Sequence, residues 1–257
     1  MEKAKSLLSI FAHSNTTRNV SIVYVAEQVY RILIELSEID SIFLHPIHYN
    51  GSKETFLNLN NNSAEEIGNL ILNSEWNEIT KHEGEKKPTL QYKRSNSGFS
   101  FNAKFLVENQ PAFHISIGIG YNSKGGISIS SFNKNIEFDY AWYRAILIKI
   151  VEVFSPYFAT VKLSNQPSNI FYNEMNIKYP IGWITYFSDA YDICIPDNLA
   201  EVRYEFVDGG KYLYTSDEDF MKDKDSYFGN REKLQRIITE LKERVPEFMK
   251  SNKEPTA

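Results

Sequence analysis

Between Gly98 and Phe132 apolar and polar residues alternate through three successive runs. Phe99, Phe101, Ala103, Phe105 and Val107 are interleaved with Ser100, Asn102 and Lys104. Phe113, Ile115, Ile117, Ile119 and Tyr121 are interleaved with His114, Ser116, Gly118 and Gly120, and Ile127 and Ile129 with Ser128 and Ser130. A period of two sends alternate side chains to opposite faces of a strand. The connections Glu108–Pro111 and Asn122–Gly126 are short enough for hairpins. The stretch therefore predicts an antiparallel meander with one apolar and one polar face. Ser116, Gly118, Gly120, Ser128 and Ser130 leave the polar face little side-chain bulk. Either something packs closely there or the glycines serve twist or a bulge.

An apolar sheet face needs a cover, and the chain supplies one immediately. In Phe138–Phe154 the residues Phe138, Ala141, Trp142, Ala145 and Ile146 fall on one helical face, continued by Ile150, Val153 and Phe154, until Pro156 stops the helix. Each large apolar side chain buried there contributes about 1.5–3 kcal/mol before entropy is counted. The expected class is α+β, an antiparallel β-sheet (this meander plus C-terminal strands) packed with amphipathic helices. With 42% hydrophobic residues, 257 residues suffice for one compact domain over 1–257.

Other segments are read the same way. Leu7–Ala12 predicts a first strand; two lysines precede it, but its apolar run is short for a signal peptide. His13–Thr17 reads as a loop, Val20–Leu36 as a helix, and Ile42–Tyr49 as an extended segment interrupted by Pro46. Ser63 and Glu66 have the spacing of a capping box, followed by the apolar Ile67, Leu70 and Ile71. The charged run Lys81–Arg94, with Pro88, reads as a surface connection, and Tyr157–Leu163 as a strand. Leu234, Ile237, Ile238, Leu241 and Val245 form the stripe of a last helix ended by Pro246.

Before that helix stands Tyr179-Pro180-Ile181-Gly182-Trp183-Ile184-Thr185-Tyr186-Phe187-Ser188, a turn feeding an aromatic strand in which Trp183 should be a core or hinge-packing residue, not a ligand platform. Val207-Asp208-Gly209-Gly210 is a hairpin signal between Val202–Phe206 and Tyr212–Thr215. Thr215-Ser216-Asp217-Glu218-Asp219-Phe220 then leads into the last helix. A Gly-Trp-x-Thr-Tyr strand, a Gly-Gly hairpin, a Thr-x-Asp-Glu-x-Phe segment and a closing amphipathic helix, over Tyr179–Val245, resemble the immunity protein 52 family. The resemblance implies an antitoxin of bacterial competition, partnered with a polymorphic toxin delivered between cells. The implied partner is a cognate protein toxin of nuclease type, bound directly in the cytoplasm so that its active site is occluded. No catalytic residue is carried over by this resemblance.

The charge distribution bears on that expectation. Residues 189–225 hold eleven acids against four bases, a balance of −7, while the rest, with twenty-four bases against twenty-two acids, stands at +2. Such a segment disfavours nucleic-acid phosphates and suits a basic protein. Asp217, Glu218, Asp219, Asp223 and Asp225 are the candidate partner-binding residues; the competing reading is a solvated acidic surface and helix start.

The residues point to no cofactor, metal or catalytic constellation. His45 and His48 flank a proline in an extended segment and lack further ligands, and His114 falls on the meander's polar face. Cys194 is the single cysteine, so no internal disulfide can form, and the alternation Tyr191–Ile195 suggests a buried thiol. There is no Walker lysine, no Gly-x-Ser-x-Gly elbow, and no EF-hand glycine in Asp217–Asp219. No apolar run is long enough to span a bilayer. A binding protein rather than an enzyme is expected. The alternatives are an enzyme that modifies or degrades a toxin or small metabolite, and a structural adaptor of a secretion assembly.

Overall fold

The computed structural model describes residues 8–15, 19–50, 53–83, 89–94, 97–121, 124–131, 138–163, 180–190, 194–215 and 224–248. The chain is α+β. Strands β1 (Leu8–Asn15), β3 (Ile47–Asn50), β4 (Lys53–Phe56), β6 (Ser97–Val107), β7 (Gln110–Tyr121), β8 (Lys124–Ser131), β9 (Phe158–Leu163), β10 (Ile184–Ser188), β11 (Arg203–Val207) and β12 (Gly210–Tyr214) form one ten-stranded sheet. Its order is β11-β12-β10-β9-β1-β8-β7-β6-β3-β4, and every pair is antiparallel. Among the described residues the α-helices are α1 (Ile22–Ser37), α2 (Ala64–Glu83), α3 (Tyr140–Phe154) and α4 (Lys224–Arg244).

The meander is β6-β7-β8, in the predicted register of faces. Phe99, Phe101, Ala103, Phe105, Phe113, Ile115, Ile117, Ile119, Ile127 and Ile129 are all buried. Glu108 and Asn109, both at positive φ, close the β6–β7 turn, so Pro111 lies inside β7, opposite Leu106 beside a register shift. A second irregularity falls between Ile119 and Tyr121, where Gly120 has φ +94 and a Cβ would lie 2.3 Å from Val20 Cγ2. The bulge reading holds for Gly120. At Gly118 the close neighbour is the Tyr121 ring, 3.3 Å from an added Cβ.

Several boundaries differ from the sequence reading. β1 continues to Asn15 instead of ending at Ala12, because it is paired on both sides: His13 stands opposite Gly126 of β8 and Phe158 of β9. α1 starts at Ile22, capped by Ser21, whose Oγ accepts from Tyr24 N at 3.2 Å. Val20-Ser21 is instead a short strand, β2, paired with Lys93-Arg94, β5. The segment 81–94 is therefore not simply a connection. α2 continues through Glu83, and the carbonyls of Leu90 and Tyr92 accept from Val23 N and Ile22 N, satisfying two otherwise orphan amides of α1. One half of the predicted capping box forms, Ser63 N donating to Glu66 Oε2 at 2.7 Å. Ile42–Tyr49 is a 3-10 turn, Ser41–Leu44, followed by β3.

α3 is rotated about its axis from the expected orientation. Its buried residues are Tyr143, Ile146, Leu147 and Ile150, while Ala141 is exposed. Trp142 is half-buried on the flank, stacked on Phe138 at 4.2 Å, with Nε1 donating to Asp40 Oδ2 at 3.0 Å. Asp139 caps the helix, accepting from Trp142 N at 2.8 Å.

The two faces of the C-terminal strands are covered by different elements. Residue alternation places Tyr212, Tyr214 and Glu205 on one face, where α3 sends Arg144 to Glu205. Lys211, Leu213 and Tyr204 occupy the other. There Tyr204 Oη accepts from Leu199 N at 2.9 Å, and Lys211 Nζ donates to the Ile195 carbonyl and pairs with Asp197. α4 is tied to this loop by Arg236–Glu201 and by Ala200 N donating to Glu240, and its stripe Leu234, Ile237, Ile238, Leu241 and Val245 is buried as predicted.

Candidate partner-binding surface

The residues behind the family resemblance have a definite structural task. Gly182 lies against β9 so closely that a Cβ would sit 1.9 Å from the Val161 carbonyl oxygen and 2.6 Å from Thr160 Oγ1. Only glycine permits that approach. It lets Gly182 N donate to Thr185 Oγ1 at 3.0 Å, with Thr160 Oγ1 a further 3.1 Å from Thr185 Oγ1. Trp183 N then donates to Val161 O at 2.7 Å and Thr215 N to Trp183 O at 3.1 Å. Trp183 is 1% exposed, its ring 4.6 Å from Tyr140 of α3. The Gly-Trp element is thus a core wedge that joins β9, β12 and α3.

The Gly-Gly hairpin forms as β11 and β12, with Val207 opposite Gly210 and Gly209 at φ +79. β11 is one edge of the sheet. Its Phe206 is 64% exposed and Val207 is also open to solvent, with Phe206 stacked on Tyr204 at 6.2 Å. Tyr214 Oη donates to Glu205 Oε2 at 2.6 Å, and Arg144 reaches the same oxygen at 3.2 Å. The bond from Tyr214, helped by Arg144, holds the Glu205 carboxyl below its ordinary range. Burial, with the neighbouring Glu205 charge, pushes the Tyr214 phenol up. Arg203 lies over the Tyr214 ring, 4.2 Å from its centroid.

The sequence candidates fall unevenly. Asp217, Glu218, Asp219 and Asp223 lie outside the described residues; Asp225 belongs to the first turn of α4, which begins at Lys224. Among described acids of the 189–225 segment, Asp197, Glu201 and Glu205 pair with Lys211, Arg236 and Arg144. Their bridging hydrogen bonds moderate the segment's charge. Asp189 and Asp208 make no ion pair with a described residue. Both are exposed, and Asp189 N donates to Gly209 O at 2.9 Å, which ties the backbone after β10 to the hairpin turn that carries Asp208. Asp189, Asp208 and the β11 edge were not singled out by sequence, because which strand ends a sheet is a property of the whole topology.

Cys194 is exposed, not buried as the alternation suggested: residues 194–199 form no strand, and Ile195 and Leu199 turn inward instead. His45 and His48 diverge, His45 exposed and His48 4% exposed. His48 Nδ1–H donates to Asn102 O at 2.9 Å, and Nε2 lies 3.1 Å from the Ser74 hydroxyl, which in turn lies 2.9 Å from Leu70 O. Burial holds its pKa below the usual histidine range, and the same cause lowers His13 and His114. Among the described residues no group of three or more His, Cys, Asp or Glu side chains converges as a metal site, and no helix is long and apolar enough to cross a membrane.

No family profile and no curated protein matches the chain. Among solved structures, the chain is similar to "Pseudomonas aeruginosa T6SS protein PA0821", at 9% identity and a TM-score of 0.45, over 90% of this chain and 74% of that one. A likeness at this level is too slight to bear on function.

Proposed function

We propose that this chain is an immunity protein that binds a cognate bacterial toxin and occludes its active site. The resemblance over Tyr179–Val245 motivates the reading. The observation that carries it is the exposure of Asp189 and Asp208, one bonded through its backbone to the hairpin turn and the other within it, neither in an ion pair with a described residue. A nuclease cleft is basic, and exposed carboxylates complement it and speed encounter. Protection would take place in the cytoplasm, where such a toxin finds its substrate.

Co-expression with the product of the adjacent gene, followed by affinity capture and a toxicity assay, tests this. The reading expects a stable complex and protection at a fixed molar ratio. Protection by a small fraction of an equivalent, with turnover, would identify an enzyme instead and end the occlusion reading.

A further inference from the structure

The β11 edge carries a pattern that fits a copy of itself. We infer that two copies of this chain associate through β11, antiparallel, about a two-fold axis at Tyr204. In that register Tyr204 faces its own counterpart, Arg203 faces Glu205 of the second copy in both directions, and Val202 faces Phe206.

Three observations lead there. First, β11 is an edge strand of five residues, and among the described strands β12 alone is bonded to it. An open edge presents unused amide and carbonyl groups, and an exposed aromatic on it favours pairing with another strand. Phe206 is 64% exposed, and in this register it meets the partly buried Val202. Second, the charges select the register. Centring the pair on Glu205 would set that carboxylate against itself, which is unfavourable. Centring it on Phe206 would place Glu205 opposite Val207, with no opposite charge facing it across the axis. Centring it on Tyr204 makes two cross-strand Arg–Glu pairs, and directly opposed Cβ atoms lie only about 4.5–5.5 Å apart. Third, the acceptor is open. Tyr214 Oη and Arg144 both bind Oε2 of Glu205, and no described residue bonds to Oε1. Arg203 and Glu205 lie on the same sheet face, where an incoming guanidinium reaches that oxygen beside Tyr214. This association does not depend on the identity of any toxin, and the hairpin tip at Asp208 lies beyond the paired residues.

Sedimentation equilibrium tests the inference with the full chain at about 1 μM to about 1 mM, a range suited to a small interface. The wild type should dimerise within it. Arg203→Glu and Glu205→Arg each place two like-charge pairs across the axis, so each variant alone should dimerise about tenfold more weakly or worse. Mixed one to one, they regain two complementary pairs, and a heterodimer of near wild-type affinity should form. Circular dichroism checks that each variant folds. If Glu205→Arg does not, Phe206→Ser decides, since that side chain is exposed and its loss should weaken the dimer alone. A wild type that stays monomeric throughout, a mixture that regains nothing, or an unaltered dimer in Phe206→Ser overturns the inference.

Discussion

Adding one methyl group at Gly182 should cost far more than adding it at Gly209, although both are glycines near the ends of neighbouring strands. At Gly182 the new Cβ would stand 1.9 Å from the Val161 carbonyl oxygen. Ordinary contact begins near 3.4 Å, so the turn must withdraw by about 1.5 Å. Val161 cannot yield, because β9 is held between β1 and β10. Withdrawal breaks the 2.7 Å bond from Trp183 N to Val161 O and the 3.0 Å bond from Gly182 N to Thr185 Oγ1. Each buried group left unsatisfied costs about 1–3 kcal/mol, giving about 2–6 kcal/mol for Gly182→Ala. Gly209 has φ +79 but nothing within 4 Å of an added Cβ. Its replacement by Ala should cost only the left-handed backbone penalty, about 1–2 kcal/mol. Urea unfolding of both variants, at unchanged m-value, measures the difference. A Gly182→Ala variant no less stable than Gly209→Ala would refute the wedge.

Trp183→Ala, at a site 1% exposed, should lower stability by about 3–5 kcal/mol, read from the same unfolding curves. His48 gives a pH signature: its folded pKa lies below the unfolded value of 6.5, so the unfolded chain takes up the proton first. Its contribution is complete above pH 6.5 and is lost as the pH falls through the folded pKa. Thermal midpoints should therefore decline on acidification below pH 6.5, and less steeply in His48→Gln; identical slopes would exclude His48 as a source. Charge reversal of Asp217, Glu218 and Asp219 should slow toxin association at low salt while leaving the melting curve nearly unchanged. The effect should shrink as salt rises, since exposed charges are screened over about 8–10 Å near physiological ionic strength; equal association rates at two salt concentrations would remove these acids from recognition.

The meander was legible because a period of two admits one arrangement: shifting a strand by one residue would turn Phe99, Phe101 and Phe105 to solvent. The α1 stripe was legible for the same kind of reason. α3 was legible as a helix but not in its rotation, because Ala141-Trp142-Tyr143-Arg144-Ala145-Ile146-Leu147-Ile148 is apolar at nearly every position and periodicity does not choose a face. The β3–β4 hairpin and the β2–β5 pair escaped because two to four residues carry too little pattern, and their partners are fixed by tertiary contacts. Cys194 escaped because alternation over five residues can arise in an irregular loop. At the candidate surface, Gly182 and Trp183 of the segment that carries the resemblance prove to be architectural, and the bond from Asp189 N to the hairpin turn was not legible because it depends on the pairing of β10 with β12.

The central place of β1 has a consequence for how the chain is made. Residues 8–15 are synthesised long before both neighbours of this strand, β8 at 124–131 and β9 at 158–163. At about 5–20 residues per second, the first strand waits roughly 8–30 s for its second neighbour. Until then Leu8, Ile10 and Ala12 have no finished sheet to enter, and pairings so distant in sequence are slow to close. β1 thus joins two halves, β4-β3-β6-β7-β8 and β9-β10-β12-β11, and is made long before either is complete. Deleting residues 8–15 would not trim an edge but part the sheet down its centre.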